Sequence, residues 1–113
     1  MAEPISLINR FDFRHQVLNS NGPVAVLFTG ADHESKKIDR LFAGLSDEYD
    51  GRMRFVSVDA TLADLLDVDH HIRPRNTPTV LLFHGGEELK RWGNEQNPDE
   101  YREAFDELLE NTM

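Results

Sequence analysis

Sulfur nucleophiles are missing from this chain. None of its 113 residues is cysteine, so it holds no disulfide, no thiolate and no cysteine metal ligand. Disulfide exchange needs one thiolate to attack and another to leave, and neither a hydroxyl nor a carboxylate can form the mixed disulfide. Basic residues are scarce as well: 12 Lys and Arg stand against 21 Asp and Glu, a net charge of −9. Nucleic-acid phosphates need clustered cations to displace their counterions, and anionic membranes attract basic segments. The balance therefore argues against nucleic acid and membrane as partners. Its ordinary consequence is solubility; its sharper one is a basic partner. Long apolar runs are also absent. The longest, at 24–28 and 80–83, fall far short of the ~20 residues of a bilayer-spanning helix. Met1-Ala2-Glu3-Pro4 lacks the basic start and apolar stretch of a secretory leader, so the expectation is a cytoplasmic protein.

What is present reads as one domain, 1–113, large enough to bury roughly 65% of its unfolded surface without staples. Seven Phe, two Tyr and one Trp supply bulky core candidates. Residues 5–8 are apolar enough for a short strand. Asn9 is placed to cap a helix over 10–19, in which Phe13, Val17 and Leu18 form a stripe. Ser20-Asn21-Gly22-Pro23 is a turn signal. The continuous apolar run at 24–28 predicts a strand buried on both faces, and so central in a sheet. Ile38, Leu41, Phe42, Leu45 and Tyr49 recur at spacings of three and four, the buried stripe of a helix over about 32–49. Residues 54–59 read as a strand, 61–68 as a short helix on Leu62, Leu65 and Leu66, and 73–78 as a loop with two prolines. A strand at 79–83, a hairpin turn at Gly85-Gly86 and a returning edge strand at 88–92 follow. Asn97 then caps a last helix with Pro98 at its first position, buried through Tyr101, Phe105, Leu108 and Leu109. The order β-α-β-α-β-α-β-β-α implies an α/β fold, parallel among its early strands and antiparallel at the final hairpin.

Four stretches narrow this further: Gly22-Pro23-Val24-Ala25-Val26-Leu27-Phe28, Leu45-Ser46-Asp47-Glu48-Tyr49, Phe55-Val56-Ser57-Val58-Asp59-Ala60 and Thr77-Pro78-Thr79-Val80-Leu81-Leu82-Phe83. With the element order, they resemble the thioredoxin family over nearly the whole chain, the last stretch most specifically. The resemblance implies a thioredoxin-like fold, a central mixed β-sheet of four to five strands flanked by helices on both faces. It implies a cis peptide bond between Thr77 and Pro78. It also sets the family's Cys-Gly-Pro-Cys quartet, aligned without gaps from Val26 to Tyr49, on Asp32-His33-Glu34-Ser35. Both cysteine positions are lost, one to Asp32 and the other to Ser35. The Trp that precedes the quartet is Ala31, the buried acid that assists proton transfer is Val26, and the lysine near that acid is Ser57. What the family architecture retains is a groove. Its walls here would be Ala31, Asp32 and His33; Asn76, Thr77 and Pro78; and Trp92, Gly93 and Asn94. An extended peptide docks in such a groove by adding a strand through backbone hydrogen bonds. Against the family spacing, the loop from Ile72 to Thr77 is longer and the segment from Gly86 to Gly93 shorter, both at the groove rims.

Each candidate residue has an ordinary account beside a sharper one. Asp32 at a helix start is a natural cap, worth about 0.3–1 kcal/mol against the helix dipole; as a catalytic carboxylate it has only His33 for a partner. His33, Glu34, His70 and His71 are metal-ligand types without a ligand spacing, so no metal and no cofactor are expected. Asp32, His33 and Ser35 are nucleophilic-triad types, but such triads are drawn from distant segments. Trp92 either covers an end of the core or anchors a partner. Arg73 and Arg75 are solvated loop charges or contacts for an acidic peptide or a phosphate. Asp99, Glu100, Glu103, Asp106, Glu107 and Glu110 form a solvated helix face or meet a basic surface. The resulting expectation is a redox-inactive binding module with no catalytic residue: a chaperone, assembly factor or complex subunit that takes a protein or extended peptide segment near Pro78. The alternative is an enzyme, or a ligand- or metal-binding protein, using Asp32, His33 and Ser35. A third reading is a structural subunit docking through its sheet edge or acidic helix. No oligomeric state follows from the sequence.

Overall fold

The computed structural model describes residues 4–7, 14–20, 22–30, 33–59 and 78–111. Five strands, β1 (Ile5–Leu7), β2 (Pro23–Thr29), β3 (Arg54–Asp59), β4 (Thr79–His84) and β5 (Glu87–Gly93), form one sheet in the order β1-β3-β2-β4-β5. β3 runs parallel to β1 and β2, whereas β4 is antiparallel to β2 and β5. Two helices accompany them, α1 (His33–Glu48) and α2 (Pro98–Asn111). This is the mixed α/β sheet that the sequence implies. The helix expected over 61–68 and the loop at 73–77 lie outside the described residues.

Side chains along a strand alternate between faces, and β2 is buried from Val24 through Phe28. Val24, Val26 and Phe28 join Val56, Val58, Leu81 and Phe83 on one face, covered by Val17. Ala25 and Leu27 join Phe55, Val80 and Leu82 on the other, beneath the α1 stripe and Tyr101 and Phe105 of α2. One apolar run therefore serves two cores. Aromatic rings fill much of the second. The Phe55 ring meets Phe42 at 5.2 Å and Phe105 at 5.7 Å, both edge-on, and Tyr49 meets Phe105 at 5.4 Å. Such edge-to-face pairs add about 0.5–1.5 kcal/mol each to the burial itself. The Tyr49 hydroxyl donates to the Asp106 carboxylate at 2.7 Å and ties the end of α1 to α2. At the start of α2 the Asn97 side-chain oxygen accepts the Asp99 N–H at 3.1 Å, the cap that the Asn-Pro pair predicts.

The segment before β2 departs from the α-helix expected there. Residues Arg14–Leu18 form a π-helical turn, in which the Asn19 N–H reaches the Arg14 carbonyl, five residues back, at 2.9 Å. A helix cannot run on into Pro23, and the π-helical turn ends before it. Val17 still reaches the core. The expected start of that helix, at 10–13, lies outside the described residues.

The β4–β5 hairpin closes on Gly85 and Gly86, with φ of 61° and 81°, the left-handed pair that a two-residue hairpin requires. Gly86 meets a second constraint: a Cβ there would lie 2.8 Å from the Leu18 carbonyl oxygen. The hairpin tip is thus fitted against the π-helical turn. Gly86→Ala is expected to cost about 1–3 kcal/mol, from the positive φ and the clash with backbone together. Urea unfolding measures this, and an unchanged midpoint would contradict the fit.

Burial, with the Asp106 hydrogen bond and charge adding to it, holds the Tyr49 phenol above its ordinary value of 10.0. Burial and then the charge of Glu95 do the same for Tyr101. In the unfolded chain both phenols ionise near pH 10, as free tyrosines do, while the folded chain keeps its protons. Stability from this source is complete below about pH 10 and falls as pH rises toward the folded values. The urea midpoint is therefore expected to hold between about pH 8 and 9.5 and to decline above about pH 10, less steeply in Tyr49→Phe. A Tyr49→Phe profile parallel to the parent's would remove Tyr49 from this account.

Candidate functional site

Pairing of Phe28 with Thr79 brings the end of β2 and the start of β4 to the same end of the sheet. Gly30, Pro78 and, through the pairing of Thr79 with Gly93, the end of β5 therefore gather there. α1 departs from this end. The Gly30 N–H donates to the Ser35 hydroxyl oxygen at 3.0 Å, fastening the strand exit to the first turn of the helix. Ser35 is 1% exposed. On the other side, the Asn94 N–H donates to the Pro78 carbonyl at 2.9 Å. Asn94 has a φ of 51°, a left-handed conformation that asparagine accepts more readily than most residues. The turn this permits leads the chain away from β5 toward α2.

Gln96 connects the walls. Its side-chain amide donates to the Glu34 carboxylate at 2.6 Å and to the Asn94 side-chain oxygen at 3.3 Å, across 62 residues of sequence in the first case. Lys37 lies 3.8 Å from the same Glu34 carboxylate, with both side chains largely in solvent. The loop is braced below as well, where the Tyr101 hydroxyl donates to the Glu95 carbonyl and the Glu95 carboxylate accepts the Asn97 N–H. Sequence reasoning missed Gln96. A hydrogen bond between distant exposed side chains leaves no periodicity or spacing to read.

The expected site residues divide. Pro78 is buried, Gly93 is exposed, and both stand at the same end of the sheet as His33, Glu34 and Ser35. Ala31, Asp32, Asn76 and Thr77 lie outside the described residues, as do His70, His71, Arg73, Arg75 and the Thr77–Pro78 bond. His33 is exposed whereas Ser35, two positions on, is enclosed, so the two point to different sides of α1. Trp92 lies within the core. It is 7% exposed, its ring 4.9 Å from Tyr101 and 6.1 Å from Phe105, with the Lys90 ammonium 5.2 Å above it. Its indole N–H has no hydrogen-bond partner among the described residues. Among those residues no three His, Asp or Glu side chains gather to hold a metal ion, and no helix is long and apolar enough to cross a membrane.

No family model matches the sequence. A curated relative does: Thioredoxin C-2 of Corynebacterium nephridii is 35% identical over 85 residues, which span 73% of this chain and 77% of the relative. The chain belongs to the thioredoxin family. The thioredoxin of Malassezia sympodialis (Mala s 13), a solved structure described as a member of a pan-allergen family, superposes with a TM-score of 0.81 at 19% identity. That match covers 96% of this chain and 93% of the other, and shows the shared fold. This thioredoxin-family chain has no cysteine at any position. Ser35, which the resemblance matches to the second cysteine, has its hydroxyl bonded to backbone.

The burial of Trp92 has a measurable consequence. Trp92→Ala is expected to destabilise the fold by about 3–5 kcal/mol, the usual cost of deleting a buried aromatic. A change below about 1 kcal/mol in chemical denaturation would mean that the ring's packing contributes little.

Proposed function

We propose that this thioredoxin-family chain is a redox-inactive module that binds a protein or extended peptide segment in the groove bordered by His33, Pro78 and Gly93. Its role in this reading is that of a chaperone, assembly factor or complex subunit, and not of an enzyme. The observation that supports it is the state of Ser35. In a thioredoxin the residue at this position takes part in the exchange of sulfur bonds. Here it is enclosed and accepts the Gly30 N–H, a role in holding the groove's wall in place. The wall opposite is braced too, by Asn94 on Pro78 and by Gln96 on Glu34. A scaffold without the nucleophile and with its groove walls tied together is suited to holding a peptide, because preorganised backbone lowers the ordering cost of binding.

Two measurements test the reading. In an insulin-reduction assay the chain is expected to give no activity above a no-protein control, and turnover there would end it. Affinity capture from the native cell extract is expected to yield a partner whose contacts, mapped by amide shifts in NMR, centre on Gly30, Ser35, Thr79 and Gly93. Gln96→Ala and Pro78→Ala should weaken that partner about tenfold, the scale of one or two lost interface contacts. A partner whose footprint lies on β5 or α2, bound equally by both variants, would reassign the chain to docking through its sheet edge or acidic helix.

A further inference from the structure

At the opposite end of the sheet, where β2 and β3 begin, the surface opens into a cleft of about 640 Å³. That lies within the usual size of small-molecule sites. His15 of the π-helical turn, Ser20 after it, Asp50 and Arg52 of the turn following α1, and Arg54 of β3 all line it. These residues come from two separate stretches of chain, 15–20 and 50–54, and none belongs to the groove beside Pro78.

Arg52 and Arg54 are unexpected in so acidic a chain. Lys37, Arg91 and Arg102 each find a carboxylate. Neither Arg52 nor Arg54 has a carboxylate partner among the described residues. Each is tethered instead by one guanidinium nitrogen to a backbone carbonyl, Arg54 to Gln16 at 3.1 Å and Arg52 to Glu48 at 3.4 Å. The Arg52 guanidinium also lies over the Tyr49 ring, 4.5 Å from its centroid. A neutral carbonyl holds a guanidinium in place without cancelling its charge. Both cations therefore keep N–H donors for a ligand, and part of the conformational entropy that binding would remove is already gone.

We propose that this cleft binds the phosphoryl group of a small phosphomonoester. Two guanidinium forks, an imidazole and a serine hydroxyl offer more donors than the two oxygens of a carboxylate can accept, whereas a phosphoryl group has three terminal oxygens arranged for them. Asp50 refines the choice. Asp50 lines the same cleft, and a carboxylate there would repel a bare anion and accept a hydrogen bond from a hydroxyl. A phosphate ester carrying a free hydroxyl satisfies both the arginines and Asp50; inorganic phosphate satisfies the arginines alone.

Amide NMR titrations at constant ionic strength test this, with sodium chloride as the balancing salt and with inorganic phosphate and glycerol 3-phosphate as separate probes. Glycerol 3-phosphate is expected to give saturable shifts confined to the amides around His15, Ser20, Arg52 and Arg54. Inorganic phosphate is expected to bind the same residues more weakly. The Arg52→Gln/Arg54→Gln variant should lose about tenfold or more in affinity, the usual scale for charge-assisted hydrogen bonds, and Asp50→Asn should narrow the gap between the two probes. Both arginines are exposed, so these variants are expected to fold, and the titration of the unaltered protein is decisive without them. Shifts that do not saturate, that match those from sodium chloride, or that spread over the whole surface would overturn the proposal. So would undiminished binding by a folded double variant. Equal affinity for the two probes would overturn the role given to Asp50 and assign the cleft to free phosphate.

Discussion

Five consecutive side chains of β2, from Val24 to Phe28, have no contact with water, and a strand in that condition needs a layer on each side. The sheet supplies neighbours in its plane, β3 on one edge and β4 on the other. The layers above and below must come from elsewhere in the chain. One is reached by the π-helical turn through Val17, the other by α1 and α2 through a shared set of aromatic rings. Each fully buried aliphatic or aromatic side chain contributes about 1.5–3 kcal/mol, so the two-sided strand dominates the local energetics. Where the helices sit follows from it.

That constraint also builds the candidate groove. α1 is pressed against the sheet by Ile38, Phe42 and Leu45, which fixes the helix's start near the exit of β2. The antiparallel pairing of β2 with β4 then sets Pro78 at the same level as Gly30, and the pairing of β4 with β5 adds Gly93. No side chain of the groove has to find its neighbours unaided. The short-range bonds, Gly30 to Ser35 and Asn94 to Pro78, tie down loops that the core has already brought together. The candidate groove thus takes its outline from the packed core, with the Ser35 hydroxyl adding one bond at its wall.

Legibility in the sequence follows the same division. β2 was readable because an uninterrupted apolar run has few other uses, and α1 because Ile38, Phe42 and Leu45 keep helical period. Asn97-Pro98 announced the start of α2 through the missing N–H of one residue and the side-chain acceptor of the other. The turn at Arg14–Leu18 was readable as helical but not as π, since the same Val17 and Leu18 positions serve either hydrogen-bond pattern. Trp92 was ambiguous for a related reason. A single aromatic on an edge strand carries no period, and which face it takes depends on the β4–β5 register, where a bulge passes over Leu89. Gln96 and the paired exposure of Arg52 and Arg54 depend on tertiary contacts between distant segments and were not readable at all.

The family's redox apparatus is more than two sulfur atoms, and its other parts carry a structural cost that this chain avoids. A buried carboxyl assisting proton transfer must be desolvated and kept satisfied inside a core. The residue that the resemblance sets at that position is Val26, fully enclosed among Val24, Phe28, Val56 and Val58. A lysine beside such an acid needs its charge balanced in turn; the resemblance sets Ser57 there, half-buried and neutral. Once no thiolate has to be formed, nothing favours keeping either charge inside, and an apolar side chain at Val26 strengthens the very strand on which both cores depend. In the proposed reading, the groove beside Pro78 takes its shape from these packed layers and needs no redox chemistry.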